Sequence, residues 1–237
     1  MKDKCFLINS KQDITVVYVH VPSVPKWHLL GRRFVETYEA NPPGCPHNTI
    51  IVSQGQPPYA DMAQLFDRLG RWEMFLHDNS GWDIGAFVKC AELKPSPMMV
   101  FLSGTTYFRR PGWLLRMRDV FCQYNGIGLF GACGNLGDLS VQAWPHIRTS
   151  SFWCQPTVLL GYPDRVTDMS RRYPFEHGSA NFTLWARSIG LPTIEVDFSG
   201  HQDFHQWGRN PRGFHRGDQY DLLVGDRISE PPFWPHR

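Results

Sequence analysis

From Ile14 to Leu102 the chain alternates between short β-branched runs and longer stretches whose apolar residues fall at helical spacing. Ile14–Val21 is the first run. It is apolar or aromatic almost throughout and closed by Pro22, the pattern of a strand covered on both faces. In Trp27–Tyr38, Leu30, Phe34, Val35 and Tyr38 mark one side of a helix, which Asn41-Pro42-Pro43-Gly44 stops. Thr49–Ser53 returns to β-branched residues and ends in Gln54-Gly55. A strand–helix–strand unit of this length forms a parallel, right-handed pair. The alternation continues with a helix over Met62–Leu69, a strand over Glu73–His77, a helix over Ile84–Leu93, and a strand at Met98–Leu102 that breaks at Ser103-Gly104. Beyond it, Trp113–Phe121 is expected to be helical. Ile127–Ala132 and Trp153–Leu160 are expected to be strands, joined by a connection carrying Gly131, Gly134 and Gly137. After Pro174, the stripe Phe182, Trp185, Ala186 and Ile189 predicts a helix ended by Gly190-Leu191-Pro192, and Thr193–Phe198 reads as a last strand. Such alternation builds an α/β sandwich on an open, mostly parallel sheet.

A chain of 237 residues is long enough to bury one sizeable core, and no linker or repeat divides it. It reads as one domain over residues 1–237. Within it, 200–237 is rich in His, Arg, Gly, Pro and Trp without periodicity, and is expected to be an irregular tail wrapping the domain. With 24 Lys and Arg against 22 Asp and Glu, and no basic block, the charge argues against nucleic-acid and anionic-membrane partners. No apolar run approaches the roughly 20 residues of a membrane span, and Phe6–Ile8 is too short for a signal peptide, so a soluble chain is expected. Cys5, Cys45, Cys90, Cys122, Cys133 and Cys154 are scattered without close pairs, which reads as reduced thiols in a cytoplasmic protein.

In open parallel sheets, ligands sit outside the carboxyl ends of the strands. Here those ends are His20-Val21-Pro22-Ser23, Ser53-Gln54-Gly55, His77–Asp83 and Ser103-Gly104-Thr105-Thr106. Each alone is ordinary turn or helix-cap chemistry. Four polar strand ends around one crevice point to a binding site.

These residues carry a resemblance. Ile14–Gly55 resembles the first strand–helix–strand of many glycosyltransferases, in which the first strand binds the nucleotide base. Asn79-Ser80-Gly81-Trp82-Asp83-Ile84-Gly85-Ala86-Phe87 is similar to the Asn-x-Gly-x-Asp-x-Gly stretch of rhamnan-synthesis-type glycosyltransferases and of small glycosyltransferase-like proteins. Further similar stretches follow in order at Phe101–Thr106 with Pro111-Gly112-Trp113, at Pro145–Phe152, and at Phe175-Glu176-His177-Gly178-Ser179. The resemblance implies a GT-A-like, Rossmann-type αβα sandwich. It implies transfer of a sugar from a nucleotide-sugar donor to a glycan or other hydroxyl acceptor, as in the synthesis of a surface polysaccharide. The donor is expected at Val19, His20, Asn79, Gly81, Asp83, Ser103 and Thr105, with Arg109 just beyond to neutralise a pyrophosphate as guanidinium forks do.

One departure stands out. Transferases of this type commonly carry Asp-x-Asp after the fourth strand to hold a divalent metal against the donor, whereas this chain has Ser103-Gly104-Thr105. Hydroxyls alone bind a hard cation such as Mg²⁺ poorly. Three explanations stand: transfer without metal, ligands from elsewhere, or a non-catalytic relative. Short-spaced His201, Asp203 and His205, with Asp78, are the candidate ligands for Mn²⁺ or Mg²⁺, although alternating polar residues also describe the edge of a strand.

An inverting transferase needs a general base for the acceptor hydroxyl. The resemblance puts the catalytic carboxylate at Glu176, just before the helix expected after Pro174, with His177 as its support or substitute. Asp83 is either a ligand for sugar hydroxyls or an alternative base. The competing role for Glu176 is that of a helix-start carboxylate held by the dipole. Two other functions compete: a metal-dependent hydrolase built on Asp78, His201, Asp203 and His205, and a non-catalytic nucleotide- or glycan-binding relative. No His-Glu-x-x-His, Walker loop or nucleophile elbow supports protease, nucleotidase or esterase chemistry.

Overall fold

Ile14–His20 (β1) is buried from end to end because helices cover both of its faces. Side chains alternate along a strand. Val16 and Tyr18 therefore enter one apolar layer with Phe34, Met62, Phe66 and Trp113, and Val17 and Val19 enter a second with Ile84, Phe87, Phe152 and Phe175. The computed structural model describes residues 8, 10, 13–138, 143–207 and 221–226.

The first layer comes from α1 (Pro25–Ala40), α2 (Ala60–Phe66) and α4 (Trp113–Gln123). The second comes from α3 (Trp82–Leu93), α5 (Pro156–Leu160), α6 (Met169–His177) and α7 (Phe182–Ser188). Between them lies a sheet of β1, β2 (Asn48–Gln54), β3 (Trp72–His77), β4 (Met98–Leu102), β6 (Leu129–Gly131), β9 (Ser151–Cys154), β10 (Thr193–Val196) and β11 (His201–Asp203). Its order is β11-β10-β6-β9-β4-β1-β2-β3. Strand β9 is antiparallel to both neighbours and β11 to β10, while the remaining pairs are parallel. Two short ribbons pair β5 (Tyr107–Phe108) with β12 (Val224–Gly225), and β7 (Gly134–Asn135) with β8 (His146–Ile147). This is the α/β sandwich that the alternation implied.

Aromatic rings pin the helices that flank the strand ends. Tyr18 stacks on Phe34 of α1 with centroids 3.7 Å apart, and Phe108 on Trp113 of α4 at 4.2 Å. Each such side chain, fully buried, stabilises the fold by roughly 1.5–3 kcal/mol.

Four expectations change. The strand expected over Trp153–Leu160 runs instead over Ser151–Cys154, because Pro156 begins α5, where its missing N–H is not needed. Pro174 lies inside α6 rather than before a helix, and that helix starts at the Asp168 cap, whose carboxylate accepts the Ser170 N–H at 2.8 Å. Glu176 therefore sits in a last turn, not a first one. The tail is less irregular than expected: it supplies β11, and 221–226 returns to form β12, with Arg110 paired to Asp221 at 3.1 Å. Its stretches 208–220 and 227–237 fall outside the described residues. Finally, Cys45, Cys90, Cys133 and Cys154 are free thiols, but Cys122 is disulfide-bonded, so the reading of six reduced thiols fails there and lends the cytoplasmic expectation no support. No helix among the described residues is long and apolar enough to cross a membrane.

Candidate active site

Strand β1 lies between β2 and β4, the point at which the strand order of the parallel sheet reverses, and such a switch point places a crevice at the carboxyl ends of the strands. A cleft of about 680 Å³ occupies it. Its walls are Val19 and Val21 at the end of β1, Trp27 of α1, Gln54 of β2, and Asn79, Trp82 and Asp83 at the start of α3. Ser103, Gly104 and Thr105 after β4 continue the wall, and His146, Arg148, Arg172, Glu176 and His177 close it. A ligand of nucleotide-sugar size fits the roughly 300–1,000 Å³ usual for small-molecule sites.

Two glycines shape these walls. Gly81 has φ +66°, and a Cβ there would collide with the Val166 carbonyl oxygen, so only glycine starts α3 this close to the neighbouring chain. A Cβ on Gly104 would strike the Trp27 indole. In place of a carboxylate clamp, this turn therefore offers bare backbone beneath an aromatic ring, flanked by the Ser103 and Thr105 hydroxyls 3.0 Å apart. Asn79 and Trp82 also adopt positive φ, 72° and 57°. For a bulky aromatic that conformation costs about 1–3 kcal/mol, and it persists where surroundings over-determine it. Here the Trp82 N–H donates to the Asn79 carbonyl at 3.2 Å and the Gln54 amide donates to the Trp82 carbonyl at 2.9 Å.

The polar end of the cleft is built from β8 and α6. Trp144 N–H donates to the His177 carbonyl at 2.9 Å, Asn181 Nδ2 to the Pro145 carbonyl at 3.2 Å, and Ile147 N–H to Thr183 Oγ1 at 2.9 Å, which clamps β8 against α6 and α7. Those bonds bring His146, Glu176 and His177 together, with Glu176 Oε2 and His177 Nε2 3.4 Å apart. His146 Nδ1 lies 2.7 Å from the Trp144 carbonyl; it must donate there, which leaves Nε2 unprotonated and without a partner. Burial lowers the His146 pKa to about 4, so the ring is neutral.

Two carboxylates in this wall are pushed in opposite directions. Burial raises the Asp83 carboxyl, Arg172 at 3.2 Å draws it partly back, and the charge of Glu176 raises it again; the net displacement is upward. Burial also works to raise Glu176, and the last turn of a helix is unfavourable for an anion. The hydrogen bond and charge of His177, with the charge of Arg172, outweigh both and hold it well below the usual carboxylate range. Arg148 stays charged through Asp226, 2.7 Å away.

Of the residues singled out from the sequence, Val19, Asn79, Asp83, Ser103, Thr105, Glu176 and His177 line this one cleft. Gly81 stands directly behind it as the cap of α3. His20 does not reach it. One residue after Val19, it points to the other face of the sheet, is 1% exposed, and packs edge-on against Phe66. Arg109 follows β5 and is not among the residues lining the cleft. The expected metal set is dispersed: Asp78 follows β3 at one edge of the sheet, and His201 and Asp203 lie on β11 at the other, with His205 in the turn beyond. Seven strand spacings separate those edges, roughly 30 Å, so Asp78 cannot share an ion with the other three. Trp27, Gln54, His146, Arg148 and Arg172 were not singled out. His146 and Arg148 lay within the Pro145–Phe152 resemblance, but nothing local marked them as facing a cleft.

No family model and no curated protein matches this sequence. Among solved structures, a mannosyltransferase of Pyrobaculum calidifontis, in complex with GDP-Man and Mn²⁺, superposes with a TM-score of 0.55 at 10% identity, covering 80% of this chain and 57% of its own. A putative glucose-1-phosphate thymidylyltransferase of Bacillus anthracis superposes at 0.52 and 13% identity, covering 87% of this chain and 93% of its own. The fold is that of GT-A-type transferases. Since that fold serves both sugar and nucleotidyl transfer, and this chain spans little more than half of the mannosyltransferase, the reaction has to be argued from the site.

Proposed function

We propose that the chain is a glycosyltransferase that binds a nucleotide-sugar donor in the cleft and moves the sugar to a glycan or other hydroxyl acceptor, in the synthesis of a surface polysaccharide. What supports the reading is the cleft at the carboxyl ends of the strands, whose wall holds two carboxylates displaced in opposite directions, Asp83 upward and Glu176 downward. Such divergence divides roles between a proton acceptor and a fixed anion. In an inverting transfer, the acceptor oxygen forms its bond to the anomeric carbon, the bond to the nucleoside diphosphate breaks with its electron pair leaving on the phosphate, and the hydroxyl proton passes to a base. A base works best when its pKa approaches the working pH, which favours Asp83 over Glu176 for that proton. Glu176 then remains charged beside His177, and the donor lies against Val19, Asn79, Ser103 and Thr105, with Trp27 offering a ring face.

The test is binding first. A nucleotide sugar that binds only the folded chain raises its stability by about 2.7 kcal/mol at a hundred times Kd. A melting-temperature screen of uridine and guanosine diphosphate sugars should find such a ligand, and amide shifts on titration should centre on Val19, Asn79 and Ser103. Shifts confined to residues beyond Gly200 would remove the donor site from this cleft. Binding without turnover would select the non-catalytic relative. The hydrolase alternative would have to do without Asp78, which lies at the opposite edge of the sheet.

A further inference from the structure

We propose that His146, Glu176 and His177 form a binding site for one divalent transition-metal ion at the polar end of the cleft. Each of the three presents one ligand atom, and these atoms lie within 4.8 Å of one another. Ligands about 2.0–2.2 Å from a shared tetrahedral ion stand about 3.4 Å apart. Glu176 and His177 already meet that spacing at 3.4 Å, and small side-chain rotations close the rest.

A second observation points the same way. His146 is 1% exposed, and its Nε2 has no hydrogen-bond partner, although a buried polar atom is normally paired. The other ring nitrogen is held on the Trp144 carbonyl at 2.7 Å, the arrangement by which ligating histidines are oriented and kept in the correct tautomer. Glu176 is steadied in turn by the Thr149 N–H, 3.4 Å from Oε1. Buried Nδ1 of His177 also lacks a partner.

Two imidazoles and one carboxylate select Zn²⁺, Co²⁺ or Mn²⁺ over Mg²⁺, which prefers oxygen. Positions on the ion left unfilled by the three side chains face the cleft. The site would thus supply the positive charge that Ser103-Gly104-Thr105 cannot recruit. Its use in sugar transfer rests on the reading above, whereas its existence does not.

The experiment is Co²⁺ and Zn²⁺ titration of the purified, chelator-stripped full chain in the absence of nucleotide, followed by visible absorption and by metal content after gel filtration. One equivalent per chain is expected, with visible cobalt bands of a low-coordinate N,O site. Glu176→Gln and, separately, His177→Gln should weaken binding at least 100-fold, and His201→Gln together with His205→Gln should leave it unchanged. Circular dichroism confirms that each variant is folded. If His146→Gln fails to fold, the two α6 variants still decide. Absence of a stoichiometric ion, or binding that survives in both α6 variants, overturns the site. Metal bound without nucleotide-sugar binding would leave the site standing and reject the transferase; nucleotide-sugar binding without metal would do the reverse.

Discussion

Two pairs of acids in the molecule, one in the cleft and one at the end of β10, are displaced differently. Asp83 and Glu176 in the cleft are surrounded by Arg172, His146 and His177. At the end of β10, Gln202 donates to Glu195 Oε2 at 3.3 Å, and Asp197 accepts the Ser199 and Gly200 N–H groups at 2.8 and 2.6 Å. Burial first, and then the charge of Asp197, raise Glu195 to about 8. In the cleft, Glu176 stays charged and can act on a ligand. Glu195, raised by burial, keeps its proton and is tied to β11 through Gln202.

The largest effect that could break this contrast is chemical. Asp83→Asn keeps the side-chain shape beside Arg172, 3.2 Å away, but cannot take a proton. General-base assistance contributes about 10²–10⁴-fold, so kcat should fall by that factor with donor affinity little changed. Full turnover in this variant would return the proton to His177.

Next in size is the pH response of the other pair. In the unfolded chain Glu195 titrates in the ordinary carboxylate range, but when folded it holds its proton to about 8. Between those values the folded state binds the extra proton, so its stabilising contribution is complete below the ordinary range and is lost as pH rises through about 8. Glu195→Gln should therefore flatten the pH dependence of urea unfolding and make the chain about 1–3 kcal/mol more stable than wild type at pH 8.5. An unchanged slope between pH 5 and 8.5 would mean that Glu195 is solvated or paired, and the contrast would dissolve.

How much of this was legible in the sequence depended on element length and on parity. β1, β2 and β4 run for five to seven buried residues, long enough for a β-branched pattern to stand out, and the helices between them carry clear apolar faces. The second half is built from strands of two to four residues, such as β8 and β9, and β8 is held in place by Asn181 and Thr183 side chains distant in sequence. No local pattern encodes that. His20 was misassigned for a different reason: in a strand, neighbours face opposite ways, and the sequence does not say which face opens on the crevice. Pro174 misplaced Glu176 because proline usually marks a helix start, while here the Asp168 cap begins the helix earlier. Cys122 carried no spacing signal for a disulfide at all.

The smallest expected effect concerns strain. Trp82 is 41% exposed and holds φ 57°, so little burial explains why an aromatic occupies a left-handed position at the cleft wall. Arg172 lies 5.7 Å above its ring, an attraction worth about 0.5–1 kcal/mol at a partly exposed site, less than or comparable to the strain. Asparagine tolerates this conformation far better. Trp82→Asn should therefore leave stability within about 1 kcal/mol of wild type or raise it slightly, the relief of strain offsetting the lost cation–π contact. If the ring serves as a face for sugar or base, nucleotide-sugar affinity should fall about tenfold in the same variant, roughly 1.4 kcal/mol. Unfolding midpoints with and without ligand separate the two. A variant that loses stability but keeps affinity would show that Trp82 packs against the chain, and the cleft wall would then be no more strained for ligand than the β10 end of the sheet.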